Sequence, residues 1–146
     1  GLTADREAAL HWLKKSAKGE NPSACLQVGL YYYYTVKTEA AYKKAFELFT
    51  DAYNFGEVEA IVNIGLCYLS GNGVKEDKKE AVKCFKTAAE KCSSGVAYHN
   101  LGICYENGFG VRKDHKKAIE MYGKAVEHGE AAGLKAIQNL YLKMGK

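Results

Sequence analysis

Residues 97–136 read AYHNLGICYENGFGVRKDHKKAIEMYGKAVEHGEAAGLKA, and residues 60–97 read AIVNIGLCYLSGNGVKEDKKEAVKCFKTAAEKCSSGVA. The same residue types recur in the two stretches at a constant separation of 37 positions (102 − 65, for example). The matching pairs are Gly65/Gly102, Cys67/Cys104, Tyr68/Tyr105, Gly71/Gly108, Gly73/Gly110, Val74/Val111, Asp77/Asp114 and Ala81/Ala118. A period of this length, with two segments of helical apolar spacing joined by a glycine-rich turn, predicts an all-α solenoid of helical hairpins.

The period can be followed, more weakly, over nearly the whole chain, and we predict a single repeat domain spanning residues 1–146. In this interpretation the sequence opens on the second helix of a hairpin and closes on a first helix. The predicted parts are an unpaired second helix at 4–19, repeat 1 at 22–56, repeat 2 at 58–92, repeat 3 at 95–129 and a closing helix at 131–144.

Two positions of the repeat predict close helix packing. An aromatic residue recurs in the apolar stripe of the second helices, where we expect it to be core. A glycine recurs inside the first helices, although glycine costs a helix about 1 kcal/mol. We expect it to lie where a neighbouring helix approaches too closely for any side chain. The aromatic positions are Trp12, Phe49, Phe85 and Tyr122, and the glycines are Gly29, Gly65 and Gly102.

The turn of repeat 1 departs from the pattern. Residues 35–38 read TVKT where residues 71–74 of repeat 2 read GNGV, and the spacing on either side is unchanged. Without glycines the chain must take another route between the helices, such as an extension of the first helix.

Composition excludes several functional classes. The net charge of +4 comes from interspersed basic and acidic residues, which gives no electrostatic case for binding nucleic acid. No apolar run approaches the roughly 18 residues of a membrane span, so we expect no membrane insertion. The oligomeric state is left open.

The cysteine pattern favours a reducing compartment. The chain has five cysteines, an odd number, and no CxxC pair. Cys67 and Cys104 occupy the same position in successive repeats, and equivalent positions of stacked helices lie roughly 8–10 Å apart, too far for a disulfide. We therefore expect reduced, structural thiols and a cytoplasmic protein. An ER-lumenal or secreted protein is the alternative if a signal peptide has been removed.

No pattern in the sequence indicates catalysis. The glycine turns follow helices rather than strands and lack the third glycine of a dinucleotide-binding motif. The four histidines show no metal-ligand spacing. No nucleophile and base can be paired from the sequence, so we predict no enzyme activity, no cofactor and no metal site.

The repeated motif A-x-x-N-L/I-G-x-C-Y-x-x-G-x-G-V-x-x-D-x-K-x-A resembles the SEL-one-like repeat, a relative of the tetratricopeptide repeat. Two near-complete copies carry the resemblance, at residues 60–81 and 97–118. It implies a right-handed α/α superhelix that acts as an adaptor or scaffold in protein complexes, without catalysis.

The first helices carry a second apolar stripe, turned away from their hairpin partners. If first helices line the concave side, as in tetratricopeptide arrays, this stripe forms a groove for an amphipathic helix or extended peptide. The alternative is that the same side chains pack between adjacent first helices. The candidate groove residues are Leu26, Leu30, Tyr33, Tyr34, Val62, Leu66, Leu69, His99 and Ile103.

Amides recur three positions after an alanine in each first helix. Such a row could bond the backbone of a bound peptide, or it could satisfy carbonyls at neighbouring helix ends. The row consists of Gln27, Asn63, Asn100 and Asn139, of which the first three are candidate binding residues.

The sequence therefore predicts a non-enzymatic adaptor that binds a protein or peptide partner on its concave face. The alternative is a purely structural spacer within a longer repeat array.

Overall fold

The computed structural model describes residues 2–145, and within this range the chain forms eight α-helices and no strand. The all-α prediction is therefore confirmed. The helices are α1 (Leu2–Lys18), α2 (Pro22–Tyr31), α3 (Glu39–Asn54), α4 (Ala60–Ser70), α5 (Lys78–Cys92), α6 (Gly95–Asn107), α7 (His115–Glu127) and α8 (Ala132–Met144), and a π turn, Tyr32–Val36, extends α2.

The chain divides into two compact units, which we call unit 1 (residues 1–76) and unit 2 (residues 77–146). In unit 1, α2 packs against both α1 and α3, and α3 packs against α4. In unit 2, α6 packs against α5 and α7, and α7 packs against α8. Each unit thus joins helices that are neighbours in the sequence, which is the contact pattern of hairpin repeats.

Aspartates cap the starts of α5 and α7. Asp77 Oδ1 accepts a hydrogen bond from the Glu80 backbone N–H at 3.0 Å. Asp114 Oδ1 accepts one from the Lys117 N–H, also at 3.0 Å. A cap of this kind stabilises a helix by about 1 kcal/mol because it satisfies a backbone donor that has no partner inside the helix.

The recurring glycine of the first helices lies where the recurring aromatic side chain packs. A Cβ on Gly29 would lie 2.7 Å from Phe49 Cε1, and Phe49 is only 1% exposed. In unit 2 a Cβ on Gly102 would overlap the ring of Tyr122. The predicted close approach of paired helices at these glycines is confirmed in both units.

Trp12 corrects one expectation. The repeat alignment places it with Phe49 and Tyr122 in the core, but its side chain is 65% exposed. Those two rings are covered by the first helix of their own hairpin, whereas α1 is preceded by no helix among the described residues. The helix instead packs through Leu10, Leu13 and Ala17 against the core of unit 1.

Candidate partner-binding groove

An open groove of about 660 Å³ lies in unit 1 between α1 and the extended α2. We call it the α1–α2 groove. Its size is within the range of sites that bind small ligands or peptide side chains. It is lined by Arg6, Ala9, Leu10, Leu13, Gln27, Leu30, Tyr31, Tyr34 and Thr35.

Each wall of the α1–α2 groove is one face of a helix. On α1 the lining residues are at positions 6, 9, 10 and 13, and on the extended α2 they are at 27, 30, 31 and 34. Both sets have the spacing i, i+3, i+4, i+7, which places four side chains in one row along a helix. Two parallel rows with leucine at their centres give the groove an apolar floor.

The α2 wall depends on the π turn. The Lys37 backbone N–H donates to the Tyr32 carbonyl at 3.1 Å, which is the five-residue spacing of a π helix. Lys37 ends the turn in the left-handed region, with φ of 58°. The prediction that repeat 1 replaces its glycine turn by a longer helix is confirmed.

Two tyrosines of the run 31–34 face the groove and remain exposed. Tyr31 is 38% exposed and Tyr34 is 53% exposed. Tyr33 lies elsewhere, because Asn72 Nδ2 donates to its hydroxyl at 3.1 Å and its ring contacts that of Tyr42 at 5.2 Å. Burial raises the pKa of Tyr33, although the Asn72 hydrogen bond opposes this shift.

In the repeats that keep the glycine turn, the turn packs closely against the start of the preceding second helix. In unit 1, a Cβ on Gly73 would overlap the backbone carbonyl of Tyr42 near the start of α3. In unit 2, Gly110 approaches the Lys78 carbonyl at the start of α5 in the same way. Both glycines have positive φ. Repeat 1 has Lys37 at the position aligned with Gly73.

The structure brings together three of the predicted site residues of repeat 1. Gln27, Leu30 and Tyr34 all line the α1–α2 groove. Leu26 does not line the groove; it is half-buried and packs against the core cluster of unit 1. Tyr33, as described above, packs toward α3 rather than the groove.

The predicted residues on α4 do not share one environment. Val62 is only 5% exposed, so the expectation that it contacts a partner is corrected: it is a core residue. Asn63, Leu66 and Leu69 are half-buried and keep some accessible surface. A partner contact at these three residues stays a prediction.

In unit 2, the predicted amide is also a core residue. Asn100 is 8% exposed and therefore offers almost no surface to a bound peptide, which at this position favours the alternative of a packing role. Ile103 is half-buried. Gln27 and Asn139 are exposed while Asn100 is buried, so the predicted amides do not share one degree of accessibility.

His99 belongs to a polar cluster in unit 2. Its ring lies 5.3 Å from that of Tyr122, and its Nδ1 is buried without a hydrogen-bond partner among the described residues. The Tyr122 hydroxyl donates to Glu106 Oε1 at 2.8 Å, and Lys143 Nζ donates to Glu106 Oε2 at 2.8 Å. The two hydrogen bonds of Glu106 join α6, α7 and α8.

Six lining residues of the groove are absent from the sequence-based prediction: Arg6, Ala9, Leu10, Leu13, Tyr31 and Thr35. The signal that could have found them is the i, i+3, i+4, i+7 spacing of 6, 9, 10 and 13. Alignment on Trp12 instead placed the apolar stripe of α1 on the neighbouring face. A periodic alignment transfers the core face of one helix to another only when both have the same neighbours.

Residues 2–145 contain no group of three or more histidine, cysteine, aspartate or glutamate side chains arranged to hold a metal ion. No helix in that range has both the length and the apolar character needed to cross a membrane.

Comparison with known structures gives close matches to helical repeat proteins. A Sel1 repeat protein from Oxalobacter formigenes is 30% identical, with a TM-score of 0.81, over 91% of this chain and 53% of its own. The protective antigen c5321 of uropathogenic Escherichia coli, which has an SLR fold, is 27% identical with a TM-score of 0.63. That match covers 92% of this chain and 36% of c5321. The chain thus spans about half or less of the length of these two proteins.

A third structure supports the fold alone. Helicobacter pylori cysteine rich protein B is 20% identical with a TM-score of 0.65, over 93% of this chain and 97% of its own. The family model of the Sel1 repeat matches four segments of the sequence, at residues 1–21, 22–54, 58–91 and 95–130. These segments cover most of the chain, and the fold agrees with the helical repeat solenoids of the matching structures. The chain belongs to the Sel1 repeat family.

Proposed function

We propose that this chain is a protein-interaction module that holds a peptide segment of its partner in the α1–α2 groove. Sel1 repeat proteins are generally scaffolds for protein interactions and the family is generally non-catalytic. Neither property identifies a partner or a binding face. The observation that carries the proposal is the convergence of Gln27, Leu30 and Tyr34 on one open apolar groove.

The chemistry of the groove suits a peptide. Leu10, Leu13 and Leu30 supply apolar surface, and burying it against a partner would contribute about 25 cal/mol per Å². Tyr34 is exposed and can bury a large ring on binding at a small entropic cost, as tyrosines do at protein interfaces. The Gln27 amide can donate to and accept from a peptide backbone. A helix or an extended strand of the partner is consistent with these contacts.

A display library of random twelve-residue peptides tests the proposal. We expect selection on the whole chain to enrich peptides whose affinity falls at least about tenfold in Tyr34→Ala, because an interfacial tyrosine often contributes 2 kcal/mol or more. Synthetic copies of the enriched peptides, titrated by fluorescence polarisation, give the affinities.

Tyr141→Ala is the matched control. Tyr141 is 57% exposed, close to the 53% of Tyr34, and it lies on α8 in unit 2. Its removal should change peptide affinity less than twofold. Equal losses in the two variants, no loss in Tyr34→Ala, or a selection that enriches no peptide would each overturn the proposal.

A further inference from the structure

We propose that the peptide held in the α1–α2 groove carries a carboxylate side chain beside its apolar anchor, and that this carboxylate pairs with Arg6. The inference rests on the proposed function and specifies the chemistry of the partner. It follows from the distribution of charge around the groove.

The described lining of the groove carries charge of one sign. Among the lining residues that the structure describes, Arg6 is the charged one, and it is exposed. The other wall contributes no charge, because the whole stretch 22–36 contains no acidic or basic residue. A peptide anion therefore meets no like charge along this wall and one opposite charge on α1.

The position of Arg6 fixes where the anion lies relative to the apolar anchor. Arg6 precedes Leu10 and Leu13 by four and seven residues in the row that forms the α1 wall. It is therefore one to two helical turns from the apolar centre, about 6 to 10 Å along the axis. That distance corresponds to roughly two or three residues of an extended peptide. We expect a bulky apolar residue and an aspartate or glutamate at this separation.

The choice between an acidic and a basic peptide depends on Arg6 rather than on the neutral groups of the groove. The guanidinium can bind a carboxylate with two parallel hydrogen bonds, whereas it has no acceptor for a peptide cation. The side chains of Tyr31, Tyr34 and Gln27 are uncharged and tolerate either polarity. Arg6 is therefore the group in the groove that distinguishes acidic from basic peptides.

The experiment uses one peptide enriched on the wild-type chain and two derivatives of it. In one derivative the acidic residue is replaced by its amide, and in the other by lysine. Titrations compare the wild type with Arg6→Glu at low and at moderate salt. The matched control is Lys15→Glu, which makes the same charge change on α1 outside the groove, where Lys15 Nζ lies 5.5 Å from the Trp12 ring centroid.

We expect enriched peptides to be rich in aspartate or glutamate at the stated separation. Arg6→Glu should lower the affinity for the acidic peptide about tenfold, and it should raise the affinity for the lysine derivative above that of the wild type. Lys15→Glu should change both affinities by less than about threefold. Salt screens exposed charges, so the effect of Arg6→Glu should be smaller at moderate than at low salt. Circular dichroism of both variants establishes that each remains helical.

Two results would overturn the inference. One is that Arg6→Glu and Lys15→Glu weaken the acidic peptide equally; the other is that enriched peptides lack acidic residues. If either occurs while Tyr34→Ala still weakens binding at least about tenfold, the proposed function stands and only the pairing of a peptide carboxylate with Arg6 is wrong. If Tyr34→Ala has no effect, the proposed function fails as well.

Discussion

At the scale of single residues, Glu106 connects three helices of unit 2. Burial alone would raise its pKa, but hydrogen bonds from Lys143 and Tyr122 and the charges of Lys143 and His115 outweigh burial and lower it. A carboxyl whose pKa is lower in the folded than in the unfolded chain stabilises the fold above the unfolded pKa, near 4.3. This contribution is lost as the pH falls through the folded-state pKa.

Glu106→Gln should therefore lower the free energy of unfolding by about 1 kcal/mol at pH 7, and by less as the pH is lowered toward 3. Urea unfolding at both pH values measures the difference from the wild type. Glu120→Gln is the control, because Glu120 is 57% exposed and only meets Lys124 at 3.8 Å. If Glu106→Gln and Glu120→Gln have the same urea unfolding midpoint at pH 7, the prediction is wrong.

Gly29 and Gly123 should respond to alanine with opposite signs. A Cβ on Gly29 would lie 2.7 Å from the buried Phe49 ring, whereas a Cβ on Gly123 would meet nothing within 4 Å. Gly29→Ala should destabilise the chain by about 1–3 kcal/mol through overpacking. Gly123→Ala should stabilise it by about 0.5–1 kcal/mol through helix propensity. Thermal or urea unfolding measures the stability of the two variants. If both alanines change the free energy of unfolding in the same direction, the contact between Gly29 and Phe49 does not exclude a side chain.

At the scale of elements, the π turn after α2 ends on a strained residue. Lys37 has φ of 58°, a conformation that disfavours any side chain with a Cβ. Lys37→Gly should raise the free energy of unfolding by about 0.5–1 kcal/mol, the gain from relieved strain exceeding the entropic cost of a glycine.

Lys43→Gly supplies the comparison for that measurement. Lys43 is exposed within α3, where glycine should destabilise by about 1 kcal/mol. Urea titrations of the two lysine-to-glycine variants should move the midpoint in opposite directions. A loss of stability in both would mean that the Lys37 side chain makes contacts that exceed its backbone strain.

The sequence predicts the elements well because their signals are local. Asp77 and Asp114 mark helix starts, and the glycine and aromatic positions mark the paired faces. The outward faces are harder, as Val62 and Trp12 demonstrate. Val62 belongs to the apolar stripe that was predicted to form the groove, yet its side chain is buried. Trp12 aligns with the core aromatics Phe49 and Tyr122, yet its side chain is exposed. Whether such a residue is buried depends on neighbouring helices, and the period of a single helix does not contain that information.

At the scale of the whole molecule, the five thiols differ sharply in accessibility. Cys25, Cys67, Cys84 and Cys104 are buried, and Cys92 is exposed. Burial and the nearby Glu80 raise the pKa of Cys84 to about 11, and burial raises that of Cys104 to about 11 despite the charge of Lys78. Thiolates are the reactive species, so these two groups are protected both by packing and by protonation.

We therefore expect one fast-reacting thiol when the native chain is titrated with a disulfide reagent at pH 8. The other four should react only on unfolding, and Cys92→Ser should remove the fast phase. The absorbance of the released chromophore gives both the rate and the number of thiols. Two or more fast thiols in the native chain would mean that a buried cysteine is transiently opened.

The π turn at Tyr32–Val36 also sets the direction in which the side chains at the end of this helix point. One residue of an α-helix turns the chain by about 100°. The repeat itself is no longer than its neighbour, since 16 residues separate Gly29 from Ala45 and Gly65 from Ala81. Under the proposed function, the winding of this short segment, and not a change in repeat length, decides whether Tyr34 faces the groove.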